Sequence, residues 1–258
     1  MKEREIRQAL MTAGIENAAA EARWLCEAFS GEALDLAVSR RCAHYPLQYL
    51  LGEWDFYHET YEVSEECLIP RADTELLVER AVALLPHDAH FLDLCTGSGC
   101  VAISTLAARP DTTAVAVDLF PETLAIARRN AARNRVAQRL CLQEADVLVE
   151  PPLSEYFDAI LSNPPYISAA DMETLQREVR HEPPAALAGG ADGLDFYRAI
   201  LTRWKRLLRP NGFILFEIGY DQGEALRALA HEHGFCATVL KDLCGNDRVV
   251  HLTRGGDL

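Results

Sequence analysis

From His90 onward the chain alternates short apolar runs with amphipathic stretches, and this alternation restricts the fold more than any other feature. Runs of strand type fall at 90–94, 113–118, 138–143, 156–162, 211–218, 235–240 and 247–253, with helical stretches at 99–109, 121–134, 193–208 and 221–233. In 193–208, Leu194, Tyr197, Leu201, Trp204 and Leu208 lie on one apolar stripe. Strands linked through helices at this spacing predict a mainly parallel sheet with helices on both faces. Only a short turn separates the last two runs, which predicts an antiparallel hairpin there.

The first 45 or so residues read differently. Ile6, Ala9, Leu10 and Ala13 fall at helical spacing, as do Ala22, Leu25, Cys26 and Phe29, and Leu34, Ala37, Val38 and Arg41 continue a shorter stripe. Asn17 is placed to cap the second helix and Gly31 to end it. A small helical module follows, with nothing chemical in it. Trp54 to Val63 is rich in aromatic and β-branched residues and predicts a hairpin connector. Arg71-Ala72-Asp73-Thr74-Glu75 then opens a helix that runs to Pro86, with Asp73 or Thr74 as its cap. The expected division is residues 1–70 and 71–258.

Composition excludes several classes. With 39 acidic against 25 basic residues the formal net charge is −14, which argues against autonomous nucleic-acid binding and suits a basic protein partner or plain solubility. No apolar run is long enough to cross a bilayer and the opening residues do not resemble a signal peptide, so the cytoplasm is expected. The eight cysteines are scattered without a Cys-x-x-Cys pair. Free thiols acting as small core residues are expected, with no metal site; His231 and His233 read as a helix end stopped by Gly234.

Two loops carry the chemistry. Cys95-Thr96-Gly97-Ser98-Gly99 leaves the first strand of the alternating region, and Asp118 ends the next strand roughly twenty residues further on, the spacing at which a carboxylate holds an adenosine ribose. Gly97 to Ala102 also fits the G-x-G-x-x-A dinucleotide pattern, so a nicotinamide cofactor competes. Asp93 counts against an anionic pyrophosphate and suits S-adenosylmethionine, with its ammonium and sulfonium; Asp146 is placed to reach an adenine amino group. The second loop is Asn163-Pro164-Pro165-Tyr166. Two prolines remove two N–H donors and end the strand, leaving a stiff turn with an amide, free carbonyls and an aromatic face.

Together these loops resemble a class I S-adenosylmethionine-dependent methyltransferase. Ile69 to Glu75, Glu182 to Leu187, Gly190 to Asp195, Glu217-Ile218-Gly219 and Lys241 to Arg248 are similar to the PrmC/HemK family, the peptide chain release factor glutamine N5-methyltransferases. The resemblance implies a Rossmann-like α/β sheet, mostly parallel with the last strand antiparallel, behind a helical N-terminal domain that docks a class 1 release factor. It implies a monomer that uses S-adenosylmethionine, yields S-adenosylhomocysteine, and acts on the glutamine of a Gly-Gly-Gln motif. The cofactor would lie on Asp93, Cys95, Thr96, Gly97, Ser98, Gly99, Asp118, Asp146, Val147 and Asn163. Asn163 and the Pro164 carbonyl would accept the amide protons, Pro165 would stiffen the loop and Tyr166 would stack on the amide plane. Cys95 departs from the glycine usual in the family. A ribosomal-protein glutamine methyltransferase, a DNA adenine N6-methyltransferase, a nicotinamide oxidoreductase and a non-catalytic binding module are the alternatives.

Overall fold

The computed structural model describes residues 1–255. Residues 256–258, which close the expected 71–258 unit, lie outside the described residues. Four helices open the chain: α1 (Glu3–Thr12), α2 (Ala18–Ala28), α3 (Gly31–Cys42) and α4 (Leu47–Leu51). Ile6, Leu10, Ala22, Leu25, Leu34 and Val38 bury the expected stripes against one another in a core of their own. Asn17 precedes α2 without a side-chain capping bond, and α2 ends at Ala28. Gly31 instead begins α3, with φ +59°. Its freedom serves the entry of the next helix and not the exit of the last.

A hairpin, β1 (Glu53–Phe56) with β2 (Glu59–Glu62), joins this bundle to the sheet. Phe56, Tyr61, Val63 and Cys67 belong to the core under one face of the main sheet. After it come α5 (Glu75–Leu84), β3 (His90–Leu94), α6 (Cys100–Ala108), β4 (Thr113–Asp118), α7 (Pro121–Arg133), β5 (Leu140–Glu144) and β6 (Phe157–Ser162). The chain continues through α8 (Asp195–Thr202), β7 (Leu208–Glu217), α9 (Gly223–Glu232), β8 (Phe235–Lys241) and β9 (Asp247–Arg254). The expected helix 193–208 is shorter, because Trp204–Leu207 tightens into a 3-10 turn and Leu208 already pairs with Phe157 in the sheet. The Trp204 indole explains the break: it is buried and donates to the Val147 carbonyl at 2.9 Å.

The seven main strands lie in the order β5-β4-β3-β6-β7-β9-β8. The pairs from β5 to β7 are parallel, and β9 runs antiparallel between β7 and β8. Period-two alternation feeds two cores. Phe91, Ala114, Ala159 and Leu161 face α5 and α6, while Leu92, Leu94, Val115 and Ile160 face α8 and α9. The cysteines depart from the expectation of core thiols: Cys67 is buried, but Cys141, Cys236 and Cys244 are exposed. Cys141 and Cys236 lie on the two edge strands, where alternate residues meet solvent. No helix among the described residues is long and apolar enough to cross a membrane.

The helical module is tied to the sheet by charge. Arg41, buried on α3, donates to Glu21 Oε1 at 3.1 Å and to Glu178 Oε1 at 2.8 Å, the latter in the long segment after β6. Arg71 pairs with buried Glu182, which also accepts the Ile69 N–H at 3.1 Å. Removing one member of a buried pair leaves an uncompensated charge. Arg41→Ala is therefore expected to lower the unfolding free energy by about 3–5 kcal/mol. The double change Arg41→Met with Glu21→Leu should recover most of that loss, as urea denaturation of the three proteins will show.

Candidate active site

The strand order reverses between β3 and β6, so the loops leaving their carboxyl ends flank a switch-point crevice. Leu94 and Ser162 are register partners, and the Ser162 hydroxyl donates to the Leu94 carbonyl at 2.7 Å. The Cys95–Gly99 loop and the Asn163–Tyr166 loop thus begin side by side.

The first loop is held from below. Asp93, only 1% exposed, accepts the Thr96 hydroxyl at 2.6 Å and the Ala102 N–H at 3.2 Å. Burial pushes its carboxyl up to about 7; the two hydrogen bonds oppose the shift and the Asp118 charge adds to it. Asp118 accepts the Gly97 N–H at 2.9 Å, and burial raises its pKa as well. Asp146 accepts the Leu148 N–H at 2.8 Å. Val147 is buried in the core and its carbonyl takes the Trp204 indole. Asp93, Asp118 and Asp146 stand at or just beyond the carboxyl ends of three adjacent strands, and none forms a salt bridge among the described residues. A set of carboxylates without internal cations fits a cationic ligand and opposes a pyrophosphate.

Backbone conformation keeps the loop tight. Gly97 and Gly99 have φ of +56° and +85°, and a Cβ on Gly99 would come within 2.7 Å of Ile103 Cδ1. Cys95 also sits at φ +60°, where most L-residues are strained. Burial, and then the nearby Asp118 and Asp93 carboxylates, push its thiol well above the ordinary range. The side chain is therefore a neutral packing group. Asn130, buried on α7, completes the support by donating to the Ser98 carbonyl at 2.9 Å and the Glu62 carbonyl at 3.0 Å.

The second loop is braced from behind. Pro164 and Pro165 are buried, and the Gln222 side chain donates to the Tyr166 carbonyl at 3.0 Å. Gly189 and Gly193 pack against it so closely that Cβ atoms would lie 2.7 Å from the Pro165 oxygen and 2.3 Å from the Tyr166 oxygen. The Asn163 Nδ2 donates to Thr74 Oγ1 at 3.2 Å. Among the described residues no donor takes the Asn163 Oδ1 or the Pro164 carbonyl. Thr74 takes the N-cap position of α5, as expected, but makes no side-chain capping bond: it ends a 3-10 turn and its hydroxyl meets Asn163 instead. Asp73 makes no capping bond either and pairs with Arg248 at 3.2 Å.

Asn130 and Gln222 carry no site role from sequence, and Thr74, Gly193 and Glu217 enter only within segments of family resemblance, Thr74 also as a candidate cap. Those segments were the available signal; the contacts that explain them span long stretches of chain, such as 89 residues between Thr74 and Asn163.

Comparison with known proteins gives the class first. The methyltransferase small domain family matches residues 72–242, which covers strands β3 to β8 and both loops. The ribosomal protein L11 methylase of Lactobacillus delbrueckii subsp. bulgaricus shares the fold, with a TM-score of 0.53 at 21% identity over 72% of this chain and 81% of that one. A release factor glutamine methyltransferase of Geobacter sulfurreducens is 41% identical, covering 92% of this chain and 90% of the relative. One from Cereibacter sphaeroides is 44% identical, covering 84% and 77%. The chain belongs to the release factor glutamine methyltransferase family.

The left-handed residue in the cofactor loop makes a direct test. Cys95→Gly should change the unfolding free energy by less than about 1 kcal/mol, since relief of strain offsets the greater freedom of glycine in the unfolded chain. Cys95→Val, β-branched at positive φ, should cost about 1–2 kcal/mol. Equal stability of the valine variant in urea would show that the loop does not need this backbone.

Proposed function

We propose that this enzyme transfers a methyl group from S-adenosylmethionine to the side-chain nitrogen of the glutamine in the Gly-Gly-Gln motif of a class 1 release factor. The observation that carries this reading is the pair of open acceptors, Asn163 Oδ1 and the Pro164 carbonyl, on a braced loop beside the carboxylate-lined crevice. A primary amide has two N–H donors in one plane, and two adjacent acceptors suit it. The bound cofactor supplies an electrophilic methyl on a sulfonium centre.

An amide nitrogen is a poor nucleophile because its lone pair is delocalised, so this chain's task is chiefly to hold it still. Asn163 and the Pro164 carbonyl would orient the amide, Tyr166 would cover its face, and Pro165 with Gly189 and Gly193 would keep the loop from yielding. Orientation of this kind contributes up to about 7–11 kcal/mol in favourable cases. Asp93, Asp118 and Asp146 would hold the cofactor, with Cys95, Thr96, Gly97, Ser98 and Gly99 forming its floor and Val147 beside the base. The helical module, residues 1–70, would dock the release factor, and a single chain would suffice.

Mass spectrometry of a release factor incubated with enzyme and S-adenosylmethionine should find one added methyl on the glutamine. Asn163→Ala should abolish that transfer while cofactor binding persists; full transfer by the variant would overturn the mechanism. Cofactor affinity should also depend on pH. Asp93 titrates near 7 in the free enzyme, so it retains a proton below that value and must lose it to face a cation. The folded chain holds this proton across about pH 4–7 while the unfolded chain has lost it, so free-enzyme stability falls as pH rises through that window. Cofactor affinity should move the other way, rising as pH increases through about 7. Calorimetry should find the rise weakened in Asp93→Asn.

A further inference from the structure

Two segments that mark the family and that the proposed chemistry leaves without a role meet behind Asn163. One is Asp73-Thr74 before α5, the other Glu217 at the end of β7. Thr74 and Glu217 are each 1% exposed. Thr74 Oγ1 accepts from Asn163 Nδ2 at 3.2 Å, so its own proton must go elsewhere. The Thr74 hydroxyl stands beside the Glu217 carboxyl, while Glu217 Oε2 is buried with no hydrogen-bond partner among the described residues. Arg248 lies near enough to act on Glu217 by charge, yet spends its guanidinium on Asp73 at 3.2 Å and Asp242 at 3.4 Å, and its Nε is likewise unpartnered. A buried carboxyl with an unpartnered oxygen is expensive and is a marker of functional sites.

We infer that Glu217 and Thr74 form a positioning relay that fixes which atom of Asn163 faces the substrate, an inference that rests on the acceptor role given to Asn163 above. The side-chain amide of asparagine can present either its oxygen or its nitrogen after a half-turn. Burial pushes the Glu217 carboxyl up to about 7, and above that value it is a carboxylate that can only accept, so the Thr74 hydroxyl points its proton at Glu217 and its lone pair at Asn163. That lone pair binds Nδ2 and leaves Oδ1 turned outward. The flipped amide would present two donors to the two donors of a glutamine amide, and would repel it. Neither Thr74 nor Glu217 has to touch the substrate for this to work.

The test compares Thr74→Val, Thr74→Ser and Glu217→Met in the full chain, with kcat, KM and unfolding free energy measured for each. Thr74→Val keeps the shape and should lower kcat by about a hundredfold, a loss of the size that misplacement of a reacting group produces. Thr74→Ser, which restores the hydroxyl, should recover most of it. Glu217→Met should also lose kcat yet fold at least as stably as the native chain, since it replaces a poorly paired carboxyl with apolar volume. Native kcat in Thr74→Val or Glu217→Met, or a serine variant as slow as the valine one, would overturn the relay. A readout independent of activity is the Asn163 side-chain amide proton in ¹⁵N-labelled protein, assigned by its loss in Asn163→Ala. It should move upfield in Thr74→Val and return in Thr74→Ser; an unmoved resonance would overturn the inference. If the native enzyme leaves a release factor unmethylated, the proposed function fails by itself, and this resonance still decides the role of Thr74.

Discussion

The pairing of β3 with β6 at the centre of the sheet governs everything built above it. The two strands are not neighbours in sequence, yet Leu94 and Ser162 come into register and the Ser162 hydroxyl closes the gap to the Leu94 carbonyl. The topology reverses at this seam, and no helix can cover the crevice that opens there. Each strand ends because its own residues stop it: positive φ at Cys95, Gly97 and Gly99 in one case, two prolines in the other. The two loops are thereby set next to each other by backbone geometry alone.

Electrostatics sets the crevice apart from the rest of the fold. Asp93 and Asp118 are partly or wholly withdrawn from water and find backbone N–H groups or a hydroxyl instead of cations. The arrangement costs stability in the free protein and favours a cationic guest. Elsewhere the chain pairs its buried charges: Arg41 meets Glu21 and Glu178, and Arg71 meets Glu182. Buried charge is paired where the helical module and the segment after β6 meet, and unpaired beside the crevice. Both paired sets also tie the segment after β6 to its surroundings, so the support of the Asn163 loop reaches back to the helical module.

Rigidity of the Asn163 loop comes from three sides. Prolines remove its backbone freedom, Gln222 holds the Tyr166 carbonyl, and Gly189 and Gly193 allow backbone to pack where no side chain would fit. A reaction that depends on holding a weak nucleophile in place needs this kind of support more than it needs a base.

Local chemistry determined much of this protein from sequence. The alternating runs, the two strand-ending loops, the helical stripes built on Ile6, Leu25 and Leu34, and the carboxylate spacing from Asp93 to Asp118 are properties of neighbouring residues, so they could be read along the chain. Where a side chain had to choose between a local and a distant partner, the sequence could not decide. Thr74 stands at the helix cap but gives its hydroxyl to Asn163; Trp204 suits a continuous helix but bonds Val147 and breaks it. Asn130 and Gln222 are ordinary polar residues until folding brings the Ser98 and Tyr166 carbonyls to them. Tertiary structure alone settles such choices, because a buried polar group must be satisfied by whatever the fold places beside it, however far away in sequence.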